Sequence, residues 1–248
     1  MNLKKKIRNK NLRAFWITNS NIQNIEIAIK LKYFDIFVID YEHSLISVEE
    51  ARNIITFLNH NSIPVFMRFA RFNIISAPKF LDFGINGIIA SDVRSLSELD
   101  KIKKIIFYQN LGNRGVGLGR MNDHGDKFIE YLNNINKSLV FLPMIESKIK
   151  TSEIELIYKD KTVDGCMIGP YDLSMSLNQP GNFYSKNFKE IENFILKMKK
   201  KYKKGAGLHF MDKDIKQFKS FQKKGFNFMP ILTDIQFFKI GINQLLKK

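Results

Sequence analysis

The sequence predicts one eight-stranded α/β barrel, a TIM (β/α)8 fold. Three observations predict it. Short β-rich apolar runs recur eight times, and amphipathic segments of helical period separate most of them. The length, 248 residues, suits one such barrel. No GxGxxG follows the first run, which disfavours an open dinucleotide-binding sheet, the other way to arrange these elements.

The elements follow in order. LRAFWI (12–17) reads as the first strand and 21–32 as its helix. FDIFVI (34–39) precedes helix 47–59, and IPVFMR (63–68) precedes 74–83. GIIA (87–90) leads to helix 95–106, and LVFLPMI (139–145) to 148–159. DGCMI (164–168) comes before 187–203, GAGLH (205–209) before 212–224, and FNFMPI (226–231) before a terminal segment, 234–247. Runs this apolar are those of strands buried on both faces. The connection 109–138 lacks a repeating pattern and contains GNRGVGLGRMNDHGD. A long glycine-bearing loop in a compact domain is often functional. No linker interrupts the chain, so one domain, 1–248, is expected.

Composition narrows the partners. The formal net charge is +16. Its lysines are scattered over helix faces, as in LKMKKKYKKG (196–205), with no arginine-bearing patch, so a nucleic-acid partner is not expected. No apolar run approaches the roughly 20 residues of a membrane span, and the basic N-terminus lacks a signal-peptide core. The single cysteine, Cys166, lies in an apolar run and fits a buried thiol in a reducing cytoplasm.

In such a barrel, polar residues at the C-terminal ends of strands converge on one pocket. Strand two ends in Asp40, Glu42 and His43; strand three in Arg68 and Arg71; strand five in Glu146; strand seven in His209. Asp172 follows strand six past a Gly-Pro turn. Glu146 and Asp172 form an all-oxygen pair suited to a hard divalent ion, although each could instead cap a helix. His43 is a general-base candidate or a surface histidine. Arg68 can grip a substrate carboxylate or serve a structural ion pair. Asp82 reads as an ordinary late-helix acid, and His209 as either pocket-lining or packed beneath a loop. Arg114 and Arg120 in RGVGLGR offer cations and backbone N–H groups to an anion, though the loop does not match the P-loop pattern. His60 and His124 carry no readable signal.

IDYEHS, the Arg68 strand end, RGVGLGR, MIES and DGCMIGPYDLSMSL, in this order, resemble the HpcH/HpaI-type aldolases from about residue 12 to 240. The resemblance implies a barrel of the phosphoenolpyruvate/pyruvate type and class II aldolase chemistry on 4-hydroxy-2-oxo acids. Glu146 and Asp172 would hold a divalent metal: Mg²⁺, Mn²⁺ or Co²⁺. Arg68 would hold pyruvate and its enolate. His43 would be the catalytic histidine, Asp82 the acid paired with it, and Asp40 and Glu42 the acids beside it. Gly169, Pro170 and Tyr171 would border the pyruvate. Tyr171, His209 and the 114–124 loop would select the aldehyde. The resemblance also implies a homo-oligomer, a hexamer or trimer of dimers, with the last helix exchanged between subunits. The chain departs from the family in Met144, Ala90-Ser91-Asp92 and Tyr171, which changes the shell around the substrate. Cleavage of an acyl-CoA thioester, 2-oxo acid decarboxylation and a basic binding protein with a decayed site are the competing readings.

Overall fold

A computed structural model describes residues 2–246. Eight parallel strands close in sequence order: β1 (Leu12–Ile17), β2 (Ile36–Asp40), β3 (Val65–Phe69), β4 (Gly87–Ala90), β5 (Val140–Ile145), β6 (Gly165–Ile168), β7 (Gly205–Leu208) and β8 (Phe228–Ile231). β8 pairs with β1 and completes the ring. Among the described residues, eleven helices surround or cap it: α1 (Leu3–Asn9), α2 (Ile22–Lys30), α3 (Val48–His60), α4 (Ala77–Phe83), α5 (Leu96–Ile106), α6 (Phe128–Ser138), α7 (Thr151–Lys159), α8 (Pro170–Ser176), α9 (Lys186–Tyr202), α10 (Ile215–Lys224) and α11 (Asp234–Leu246). All eight expected strands are present within two residues. The expected terminal helix is α11, and its residue 247 lies outside the described residues.

Side-chain parity divides each strand between two cores. Trp16, Val38, Phe66, Leu142, Met144, Met167 and Phe228 fill the barrel interior. Their neighbours, such as Phe37, Ile39, Val65, Met67 and Ile168, pack under the helices. Extending the parity by two residues from Val38, Phe66 and Met144 puts Asp40, Arg68 and Glu146 on the inward face. The same rule places Gly169 after Met167. Four expected site positions therefore converge at the C-terminal mouth because of strand period alone.

Three helices were absent from the sequence expectation. α6 occupies part of the connection 109–138, and α8 begins at Pro170, whose missing N–H costs nothing in a first helical turn. α1 lies across the opposite end of the barrel. Its Ile7 is fully buried among the interior residues. Lys4 and Arg8 of α1 pair with the buried Asp164, at 3.4 and 2.7 Å. The basic N-terminus is thus a structural plug, and part of the cationic excess is spent on one internal acid.

Candidate active site

Asp40 organises the mouth. Its Oδ1 accepts from Arg68 Nε at 2.9 Å and from the backbone N–H groups of Glu42 and His43, each at 3.1 Å. Its Oδ2 accepts from Arg68 Nη2 at 2.5 Å and from Trp16 Nε1 at 3.1 Å. Burial works against this charge, but Arg68 and these donors outweigh it and lower the carboxyl's pKa. Asp40 therefore holds the arginine and also fixes the turn that carries His43. Arg68 additionally pairs through Nη1 with Glu42 Oε2 at 3.4 Å, and its guanidinium lies 5.2 Å from the Trp16 ring centre. Of the two readings of Arg68, the structural ion pair is present, made by its side edge. A guanidinium has five N–H groups, so Nη1 and Nη2 each retain one for a ligand.

Glu146 stands beside this pair and is buried, and its Oε1 has no hydrogen-bond partner. Burial, the nearby Glu42 charge and, to a lesser degree, Asp172 and Asp92 push its carboxyl up to about 8, against the pull of Arg68. A buried orphan oxygen is costly and calls for a partner. Asp172, in the first turn of α8, is exposed to the same mouth, and its charge is felt at Glu146. Among the described residues no cluster of three or more His, Cys, Asp or Glu could hold a metal. Mg²⁺ commonly takes only one or two carboxylates and leaves the remaining positions to water and substrate. The donors present fit that ion.

Gly169 is dictated by Glu146. A Cβ at 169 would lie 2.7 Å from Glu146 Cγ and 3.0 Å from Oε1. Gly169→Ala should displace the carboxylate and weaken Mg²⁺ or Mn²⁺ binding at least about tenfold. Calorimetry checks this, and unchanged affinity would show that the acid has room to move.

His209 lies beneath the mouth. Its ring is 4.3 Å from Trp16, and Nε2 lies 3.0 Å from the Leu232 carbonyl oxygen. Burial lowers its pKa to about 4, so it is neutral near pH 7. It lines the barrel and packs under the Leu232 turn, combining the two alternatives. His43 differs: it is exposed at the rim, and its ring makes no protein hydrogen bond among the described residues. Pro170 is buried and Tyr171 half-exposed beside Asp172.

Two expectations need correction. Asp82 does not pair with His43 within this chain; it binds Arg114. The reason is topological. α4 runs back from the mouth, so its last turn lies at the base, where Asn86 N–H bonds the carbonyl of Val65 at the start of β3. The loop 114–124 also lies between a helix and the next strand, which places it at the base. It wraps Asp82 closely: a Cβ on Gly117 would meet Asp82 Oδ2 at 2.7 Å. Burial raises the Asp82 carboxyl more than Arg114 lowers it. Arg114 is buried between Tyr108 and Tyr131 and serves Asp82, not a substrate at this chain's own mouth.

Sequence reading missed Trp16 and Ser147, and gave Ser91 and Asp92 as departures from the family without a contact for either. Ser91 donates to Glu42, and Ser147, beside Glu146, donates to Asp92 at 2.5 Å. Trp16 carried a usable signal: it is the only tryptophan and sits at an inward position near the end of β1.

Comparison with known proteins gives the family and the shared fold. The family model described as HpcH/HpaI aldolase/citrate lyase matches residues 13–238. The chain belongs to that family. It is 27% identical over 171 residues to a 2-keto-3-deoxy-L-rhamnonate aldolase of Salmonella gallinarum, a match covering 68% of this chain and 63% of that relative's length. An HpcH/HpaI aldolase/citrate lyase family protein from Burkholderia cenocepacia superposes with TM-score 0.87 at 20% identity, covering 99% of this chain and 97% of that one. The citrate lyase beta subunit of M. tuberculosis, solved with oxaloacetate and magnesium, gives TM-score 0.58 at 12% identity, covering 93% and 95%. These two likenesses show the shared barrel.

Proposed function

We propose that this family member is a divalent-metal-dependent carbon–carbon lyase. It cleaves a 4-hydroxy-2-oxo acid to pyruvate and an aldehyde by retro-aldol reaction, and runs the reverse condensation. The observation that carries this reading is the orphaned, buried Glu146 oxygen beside Arg68 and facing Asp172. Glu146 and Asp172 would hold the ion, which when bound supplies Lewis-acid stabilisation of the charge developing on the 2-oxo group. Arg68 directs its two remaining N–H groups at that charge and, held by Asp40, needs no reorganisation as the charge forms. His43 takes the proton of the C4 hydroxyl. The C3–C4 bond then breaks, its electron pair forms the pyruvate enolate, and a proton returned to C3 completes pyruvate. His209 is excluded from this role because its ring is buried and engaged by Leu232, and burial leaves it a weak base.

The test is pyruvate release from a panel of 4-hydroxy-2-oxo acids with Mg²⁺, Mn²⁺ or Co²⁺, with Glu146→Ala as control. Metal-dependent release that the variant lacks supports the reading. A folded, metal-loaded protein that neither releases pyruvate nor decarboxylates oxaloacetate refutes it.

The domain is read as single, cytoplasmic and part of a homo-oligomer, a hexamer or trimer of dimers. The assembly reading is supported by α11, where Phe238 is 68% and Leu245 88% exposed beside a mostly apolar groove of about 760 Å³. The catalytic pairing of His43 with Asp82 then forms between copies, with the base of one barrel against the mouth of another. Mixing inactive His43→Ala and Asp82→Ala proteins should regenerate up to about a quarter of wild-type sites in hybrid dimers. No recovered activity after subunit exchange would place both residues in one chain's site or remove Asp82 from the chemistry.

A further inference from the structure

A second cavity, of about 160 Å³, opens beside the mouth. It lies between the α8–α9 connection, the end of β7 and α10. Pro170, Tyr171 and His209 belong both to its wall and to the candidate active site, so the two spaces are neighbours. The rest of the wall is chiefly aromatic. Phe183 meets Tyr171 edge-on at 5.1 Å and Phe188 at 5.7 Å, and Phe221 closes the far side. Protein interiors hold few voids larger than a water molecule, and an apolar cavity of about 150 Å³ accommodates benzene. This one is of that size, at the edge of a reaction centre.

The charges nearby argue against an anionic or strongly polar occupant. Lys189 is at the wall, with its ammonium 5.4 Å from the Tyr184 ring and 5.8 Å from Phe221. That ammonium is already paired with Glu192, itself buried on α9. The other charged lining residue is Asp212, which repels an anion. Among the described residues of the wall, a carboxylate or phosphate tail would meet no free cation.

We propose that the aldehyde partner carries an apolar group of about the size of a six-membered ring, held in this pocket behind Tyr171. This inference rests on the aldolase reading and specifies its substrate class. In the condensing direction C3 of pyruvate loses a proton and its carbanion-equivalent adds to the aldehyde carbon. The carbonyl oxygen becomes the C4 hydroxyl by taking a proton from His43, and the substituent on C4 enters the pocket.

The experiment is pyruvate condensation, with Mg²⁺ or Mn²⁺, onto acetaldehyde, glycolaldehyde and phenylacetaldehyde. The expected kcat/KM is at least about tenfold higher for phenylacetaldehyde. Phe183→Trp, which fills the cavity, should erase that preference while leaving the acetaldehyde rate and oxaloacetate decarboxylation within about twofold. Tyr184→Trp gives a second filling variant if the first folds poorly. Equal use of all three aldehydes, a preference for glycolaldehyde, or a preference unchanged by filling overturns the pocket. Decarboxylation without aldehyde selectivity would leave the enolate site standing and sink only this inference. If no enolate chemistry occurs, the aldolase reading fails first. Calorimetry with unreactive 2-phenylethanol then judges the pocket: equal heats for wild type and the filled variants reject it.

Discussion

Arg68→Lys is expected to lower kcat/KM for pyruvate release by about a thousandfold, with most of the loss in kcat. Lysine keeps the charge but loses the planar fork. The native guanidinium spends Nε and Nη2 on the two Asp40 oxygens, at 2.9 and 2.5 Å, and touches Glu42 at 3.4 Å. An ammonium cannot satisfy both acids and still present two aligned donors to an enolate. Arg68→Met goes further and leaves Asp40 buried without a counter-charge, a loss of about 3–5 kcal/mol in stability. Adding Asp40→Asn to Arg68→Met should recover part of that stability and none of the activity. Urea unfolding with steady-state kinetics on the four proteins separates the two roles. Lysine variants with near-normal kcat would remove Arg68 from the transition state.

The strands were legible because burial on both faces forces apolar runs; β1 spans Leu12–Ile17, and LRAFWI marks the same six residues. Asp40, Arg68 and Glu146 stood at predicted strand ends and so could be placed at one mouth from the sequence, whereas Gly169 came from the family resemblance alone. α1 was hidden for a physical reason. It buries only Ile7 and pairs Arg8 with a residue 156 positions away, so it has no amphipathic stripe to read. α8 was masked by its Gly-Pro start.

The placement of Asp82 and the 114–124 loop was legible in principle. A segment between a predicted helix and the next predicted strand belongs to the base, whatever its glycines suggest. The motif resemblance pulled both to the mouth, where a second copy would be needed to bring them. The saturation of Asp40 was not legible, since three of its five donors come from residues 16 and 68 and depend on the closed ring. The side pocket depended equally on tertiary packing, because Phe183, Leu208 and Phe221 come from separate elements.

Metal-free Glu146→Gln should be more stable than the wild type at pH 8 and nearly equal to it at pH 4. The wild-type carboxyl is raised from its usual 4.5 to about 8 by burial and neighbouring acids. Between those values the folded chain keeps the proton and the unfolded chain releases it. The unfolded state then binds fewer protons, so stability falls as pH rises, and the whole penalty is present above about 8. At about 1.36 kcal/mol per pH unit the penalty is roughly 5 kcal/mol, which glutamine, never ionised, avoids. His209, held neutral with a pKa of about 4, adds an acid-side loss below pH 6.5 that both proteins share. Urea unfolding at pH 4, 6 and 8 measures the difference directly. Saturating Mg²⁺ or Mn²⁺ at pH 8 should then reverse the order, because an ion that binds only the folded wild type stabilises it and releases about one proton on binding near neutral pH. A glutamine variant that gains nothing between pH 4 and 8 would mean that Glu146 is already ionised.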